Sequence, residues 1–216
     1  FFLFSNMPVT YHKREDCNGH VRKQEKMRRK VNAILLAAGY SKRFIENKLL
    51  YPVKGKPMYF HTVEKVLKLH LNSTIVVTQY PVIAEQLKDS KVTVVHNENS
   101  YLGLSSSIKL GLQSDLSADG YLFVTCDMPF LQLDTLEKIV SAFEDSDKGI
   151  ICAASPDLYG NPSLFSRKYL EELLRLKGDI GGKIVMKNHL DDLQKIMVRS
   201  PKELSDIDTV GDLSLL

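Results

Sequence analysis

From Val31 onward, short runs rich in Val and Ile alternate with runs of helical period, and that alternation leaves few architectures open to the chain. The β-like runs fall at 31–37, 74–78, 92–96, 120–125, 149–154 and 195–198. Helical periodicity occupies 58–70, 82–88, 105–112, 133–144 and 166–176. Several β-like runs are almost continuously apolar, as strands buried on both faces are. Strand–helix alternation of this kind predicts an α/β, three-layer domain with a mostly parallel sheet. Right-handed crossovers align the strand C-terminal ends along one edge, where open sheets of this type bind their ligands.

Three segments with chemical potential follow strands and so fall on that edge. The first run passes directly into Leu36-Ala37-Ala38-Gly39, then Ser41, Lys42 and Arg43, with Lys48 close behind. Small residues let backbone N–H groups approach an anion, and the cations neutralise it. An ordinary strand–helix connection carrying surface lysines would share that local pattern. After the third run, Tyr101-Leu102-Gly103-Leu104-Ser105-Ser106-Ser107 opens a helix. Its hydroxyls suit either a nucleotide's base and ribose or the capping of the helix itself. The fourth run ends at Cys126-Asp127-Met128-Pro129. A carboxylate at a strand tip can share Mg²⁺ with substrate phosphates, or cap the next helix. Further on, 159–165 and 177–183 read locally as turns, rich in Gly, Asn and Pro.

Taken in this order, the segments resemble the nucleotidyltransferases of the molybdenum cofactor cytidylyltransferase type, which include molybdenum hydroxylase accessory proteins. The resemblance spans about residues 31 to 213. It implies a Rossmann-like nucleotidyltransferase fold with a mostly parallel mixed sheet over 31–216, and Mg²⁺-dependent transfer of CMP from CTP to molybdopterin with release of pyrophosphate. On this resemblance the nucleotide lies against Leu36, Ala37, Ala38, Gly39 and Ser41, and against Gly103, Ser105 and Ser107. Arg43 grips the β- and γ-phosphates, Lys48 reaches the α-phosphate, and Asp127 with Asp179 binds Mg²⁺; Arg43, Lys48 and Asp127 are the expected catalytic group. Gly160, Asn161 and Pro162 border the acceptor, and 205–209 is structural. A molybdenum hydroxylase apoenzyme is the implied protein partner. Two departures stand out: Phe44-Ile45-Glu46 replaces the family's Met-Gly, and Cys126 its glycine. Ala37-Ala38-Gly39, where guanylyl-transferring relatives have Ala-Gly-Gly, favours CTP over GTP by analogy.

Bulk properties exclude other classes. With 216 residues, 44% of them hydrophobic and 25% charged, the chain suits one ordinary domain, and neither disorder nor a membrane protein is indicated. Residues 1–30 hold eight basic and three acidic side chains, so this segment carries +5 of a net +3 and the remainder −2. It reads as a basic N-terminal extension outside the domain, with Met27 a plausible start, and nothing elsewhere suggests nucleic-acid binding. Phe1-Phe2-Leu3-Phe4 is too short to span a membrane, and without a secretory signal the cytoplasm is the expected location. Cys17, Cys126 and Cys152 form neither a disulfide framework nor a zinc pattern. No Gly-x-Gly-x-x-Gly follows the first run, which disfavours a dinucleotide-dependent oxidoreductase. A cytidylyltransferase for another small phosphate acceptor, and a non-catalytic cofactor-delivery protein, stay open.

Overall fold

The computed structural model describes residues 28–41, 44, 47–209 and 211–212. The basic extension up to residue 27, Lys42, Arg43 and the 45–46 part of the altered loop therefore lie outside the described residues. Seven strands form one sheet: β1 (Val31–Ala37), β4 (Ser73–Thr78), β5 (Thr93–His96), β6 (Gly120–Thr125), β7 (Ile150–Ala154), β8 (Tyr159–Ser166) and β9 (Leu193–Met197). Their order is β5-β4-β1-β6-β8-β7-β9. A small antiparallel hairpin, β2 (Pro52–Val53) and β3 (Lys56–Pro57), stands apart from it. All pairings in the large sheet are parallel except those of β8, which runs antiparallel between β6 and β7. The α/β reading and the mostly parallel mixed sheet are thus observed.

All seven residues of β1 are buried, which explains its unbroken apolar run. The one polar exception, Asn32, is satisfied: its Nδ2 donates to Asp115 (3.0 Å) and its Oδ1 accepts from Asn72 (2.7 Å). Alternate side chains feed two cores. Ala33, Leu35 and Ala37 join the layer of α1 (Met58–Leu67) and α4 (Leu133–Asp145). Ile34 and Leu36 join the opposite layer, built on α3 (Leu104–Gln113), α5 (Leu170–Leu174) and α6 (Lys183–Asn188). A short α2 (Pro81–Leu87) connects β4 to β5.

Two expectations require correction. The 159–165 segment is not a turn but the strand β8. Its Pro162 sits where the β7–β8 register shifts between Cys152 and Ala153, and a bulge tolerates the missing N–H that a regular ladder would need. The predicted helix 166–176 divides into a single turn at Arg167–Tyr169 and the five-residue α5. Behind the glycine-rich 177–182 stretch lies α6, whose six residues are too few to show a helical period.

Gly111 sets how closely α3 approaches the sheet. A Cβ there would lie 2.3 Å from Ile34 Cγ2 and 3.3 Å from Val77 Cγ2, both on fully buried residues of β1 and β4. Gly111→Ala is expected to cost about 1–3 kcal/mol through overpacking, read as a lower urea midpoint at unchanged slope.

Candidate active site

The loop after β1 is held rigid by its neighbours. Three consecutive residues at the end of β4 and just beyond it clamp three consecutive carbonyls: Thr78 Oγ1 donates to Ala37 O (3.0 Å), Gln79 Nε2 to Ala38 O (2.8 Å) and Tyr80 Oη to Gly39 O (2.6 Å). Cys126 N–H takes Leu36 O (3.2 Å), and Ser100 Oγ donates to Tyr40 Oη (3.0 Å). Ser41 adopts a left-handed φ of 49° and its Oγ accepts from Lys48 N–H (3.3 Å). Among the described residues, no partner takes the N–H groups of Gly39, Tyr40 or Ser41. A loop whose carbonyls are tied back while successive N–H groups stay unpaired is an anion cradle. Of the expected contacts, Leu36, Ala37 and Ala38 have buried side chains.

Lys48 is aimed by its own short turn. Asn47 Oδ1 caps Leu49 N–H (3.0 Å), Leu49 buries itself in the core, and the Lys48 side chain runs inward at 8% exposure. Its Nζ donates to Asp127 Oδ2 and to Asp208 Oδ1, each at 2.8 Å. Burial alone would lower the Lys48 pKa; the charge of Asp127, its hydrogen bond and Asp208 outweigh that and leave it raised. Asp127 stands one residue beyond Cys126 at the tip of β6, and its other oxygen, Oδ1, is buried without a hydrogen-bond partner. An orphaned buried carboxylate oxygen is the kind of donor a hard cation takes. Among the described residues, no set of three or more His, Cys, Asp or Glu side chains forms a metal cage. A divalent ion here would therefore depend on one or two carboxylates together with substrate oxygens, which fits Mg²⁺ chemistry.

Asp208 was not expected at the site. The 205–209 segment is more than structural: Ile207 is fully buried beside Val53 and Met58, and its N–H donates to Asp127 O (3.1 Å). Thr209 and Asp212 then bond reciprocally, with Thr209 N–H donating to Asp212 Oδ2 at 2.7 Å and Asp212 N–H to Thr209 Oγ1 at 3.3 Å. These anchors present Asp206 and Asp208 on either side of Ile207. The acid–apolar–acid pattern 206–208 was the sequence signal for this placement. Although much of Asp206 is solvent-exposed, desolvation of its carboxyl, then the like charges of Asp127 and Asp208, push its pKa up to about 7 against the pull of Lys48.

Asp179, expected to be a second metal ligand, touches the start of α3. Its Oδ1 accepts from Leu104 N–H (3.2 Å) at the start of α3, and Ser105 N–H donates to Gly178 O (3.1 Å). Gly103 packs against this segment so closely that a Cβ would meet Gly178 C at 2.5 Å, and its φ of 91° also favours glycine. Ser105 and Ser107 are buried, whereas Ser106 is more open. The fully buried Asn97 donates through Nδ2 to Ser106 Oγ and Ser107 Oγ, both at 2.9 Å. The serines thus form a fixed wall, and Asn97 is the hub that sequence reasoning missed. On the other flank, the Asn161 amide bonds β6, with Nδ2 donating to Phe123 O (3.0 Å) and Oδ1 accepting from Thr125 Oγ1 (2.8 Å) and Thr125 N–H (3.2 Å). Gly160 and Pro162 are buried beside it. Cys126 is fully buried, and burial, then Asp127, pushes its thiol far upward, so it packs rather than reacts.

Unpaired N–H groups, a lysine and a strand-tip carboxylate on one edge of an α/β sheet are an arrangement suited to nucleotide phosphates. Solved structures share the fold. A nucleotidyl transferase from Methanothermobacter thermautotroptrophicus superposes with a TM-score of 0.75 at 24% identity, covering 86% of this chain and 95% of its own. CMP:2-keto-3-deoxy-manno-octonic acid synthetase complexed with CTP gives 0.70 at 14% identity, covering 86% and 96%. The model of the MobA-like NTP transferase domain matches residues 33–193, and the chain belongs to that family. It is 30% identical over 146 residues to the "Probable molybdenum cofactor guanylyltransferase" of Pyrococcus horikoshii, covering 67% of this chain and 73% of that protein. With the "Molybdenum cofactor guanylyltransferase" of Histophilus somni the identity is 34% over 118 residues, 54% of this chain and 58% of the relative. The chain is a nucleotidyltransferase of MobA type. Among the described residues, no helix is long and apolar enough to cross a membrane.

Because the folded-state pKa of Asp206 lies above its ordinary value of 3.8, the native metal-free chain binds more protons than the unfolded chain between pH 4 and 7. The contribution of this carboxyl to stability therefore falls as pH rises through that window. Asp206→Asn removes this dependence and is expected to stabilise the chain more at pH 8 than at pH 5, read by urea unfolding in EDTA.

Proposed function

We propose that the chain transfers a nucleoside monophosphate, CMP from CTP, to the phosphate of a molybdopterin-type acceptor with release of pyrophosphate. The observation that supports this reading best is the conjunction of the unpaired Gly39–Ser41 N–H groups with the Lys48–Asp127 pair beside them. An acceptor phosphate oxygen attacks the α-phosphorus in line. The bond from that phosphorus to the oxygen bridging it to the β-phosphate breaks, and pyrophosphate carries the electron pair away. The chain's contribution is positioning and charge stabilisation. The cradle and Arg43 hold the leaving phosphates. Lys48 is released from its carboxylates to meet the α-phosphate, and Asn161 fixes the β6–β8 edge where the acceptor enters. Asp127 and Asp208 would hold Mg²⁺, which supplies charge neutralisation of the phosphate oxygens.

The curated relatives are named for guanylyl transfer, whereas the Ala37-Ala38-Gly39 loop resembles that of cytidylyl-transferring proteins. The base is therefore the sharpest point of the proposal. Pyrophosphate release measured across four NTPs, with and without molybdopterin and Mg²⁺, is expected to be highest with CTP and to require all three components. A preference for GTP would overturn the base assignment and leave the transferase intact. Asp127→Asn is expected to lose turnover at least 10²-fold with an unchanged circular-dichroism spectrum; retained turnover would remove Asp127 from the reaction.

A further inference from the structure

On the far side of β8 from Asp127, two lysines turn toward one aromatic ring. Lys195 of β9 places Nζ 4.0 Å from the Tyr159 ring centroid, and Lys183 at the start of α6 places its Nζ 5.4 Å from the same centroid. Some lysines of the described chain sit against carboxylates, Lys56 against Glu64, Lys138 against Asp134 and Lys168 against Asp192, whereas these two share a ring instead. Lys183 and Lys195 have no carboxylate within ion-pair distance among the described residues. The acids nearest in sequence are committed elsewhere, Asp179 to Leu104 N–H and Asp192 to Lys168 and Tyr169. Two like charges gathered on one ring with no counter-charge make a site that an anion completes.

The location is specific. Lys195 pairs in register with Cys152, a member of the core on the α3–α5–α6 face, and Tyr159 packs against that same core. Both ammonium groups also act on the buried Cys152 thiol, opposing part of the upward push of burial. Tyr159 opens β8, the strand hydrogen-bonded to β6 and about 4.8 Å from it. It precedes Asn161, whose amide grips β6 just before Asp127. The cation pair therefore borders the same edge of the sheet as Asp127, on the flank opposite the Gly39–Ser41 cradle.

We infer that Lys183 and Lys195, with the Tyr159 ring between them, form the binding site for a phosphomonoester dianion borne by the acceptor. The inference rests on the proposed transfer, which must bring a second anion to a site already holding a triphosphate. A monoester carries close to two negative charges at neutral pH, and two unpaired ammonium groups match it. Lys183 and Lys195 are then specificity residues for the acceptor and take no part in holding the nucleotide.

Isothermal titration of the full chain with phenyl phosphate, without nucleotide, tests the site separately from catalysis. The wild type and Lys187→Ala, a control for lost charge at an exposed lysine of α6, are expected to bind with similar affinity, and the Lys183→Ala/Lys195→Ala double variant at least tenfold more weakly. Benzyl alcohol should bind none of them. Because both lysines are exposed, the double variant should keep the wild-type melting temperature; the two Lys→Gln single variants serve if it does not. Unchanged affinity in the double variant, an equal loss in Lys187→Ala, or no binding by the wild type would overturn the inference. Failure of NTP-dependent pyrophosphate release in the wild type would instead count against the proposed transfer, so the two results are separable.

Discussion

A single ammonium group, on a lysine 92% buried, joins three segments remote in the chain. Lys48 comes from the loop after β1, Asp127 from the tip of β6 and Asp208 from the closing stretch, and Nζ contacts both carboxylates at 2.8 Å. Taking a lysine this far out of water is costly unless it is paired, and here two carboxylates pair it. Without that cation, Asp127, Asp206 and Asp208 would be three like charges in a confined space. On the proposed function, the same arrangement would prepare the edge for chemistry. A cation held by carboxylates can be handed to a phosphate, and the carboxylates so released can take a divalent ion.

The remainder of the structure fixes the geometry around that contact. Buried on both faces, β1 is an immobile base, and Thr78, Gln79 and Tyr80 pin the carbonyls of the loop that leaves it. With the carbonyls turned back, the N–H groups of Gly39, Tyr40 and Ser41 are left for an anion. Gly103 allows the α3 turn and the 178–179 backbone to touch, and Asn97 orients the serines behind it. Binding groups are thus placed by rigid elements and neighbouring loops, which spares the ordering cost at the moment of binding.

Most of the sheet and the strand-tip carboxylate were legible in the sequence because their physics is local. A buried strand needs a continuous apolar run, as in 31–37 and 120–125, and an Asp at its end is conspicuous. What escaped depends on contacts between distant segments. Turn-forming Gly160, Asn161 and Pro162 concealed β8, because only the bulge opposite Cys152 and Ala153 lets a proline sit in the sheet. Asp208 was hidden because its role follows from Ile207 docking onto the Asp127 backbone, a contact across about eighty residues. The contact of Asp179 with the start of α3 was likewise hidden, because a Gly-Asp-x-Gly motif does not reveal which distant N–H the carboxylate will meet. The Thr78-Gln79-Tyr80 clamp uses ordinary residue types and becomes visible only once β4 is placed beside β1.

On the proposed function, the Lys48 bridge opens when substrate arrives. The most direct measurement is a crystal structure of the full chain with Mn²⁺ and a non-hydrolysable CTP analogue, the metal located by its anomalous scattering. Mn²⁺ is expected on Asp127 Oδ1 and Asp208, the triphosphate on the Gly39–Ser41 N–H groups, and Lys48 Nζ moved to an α-phosphate oxygen. Nucleotide and metal bound with Lys48 still bridging Asp127 and Asp208 would contradict this opening.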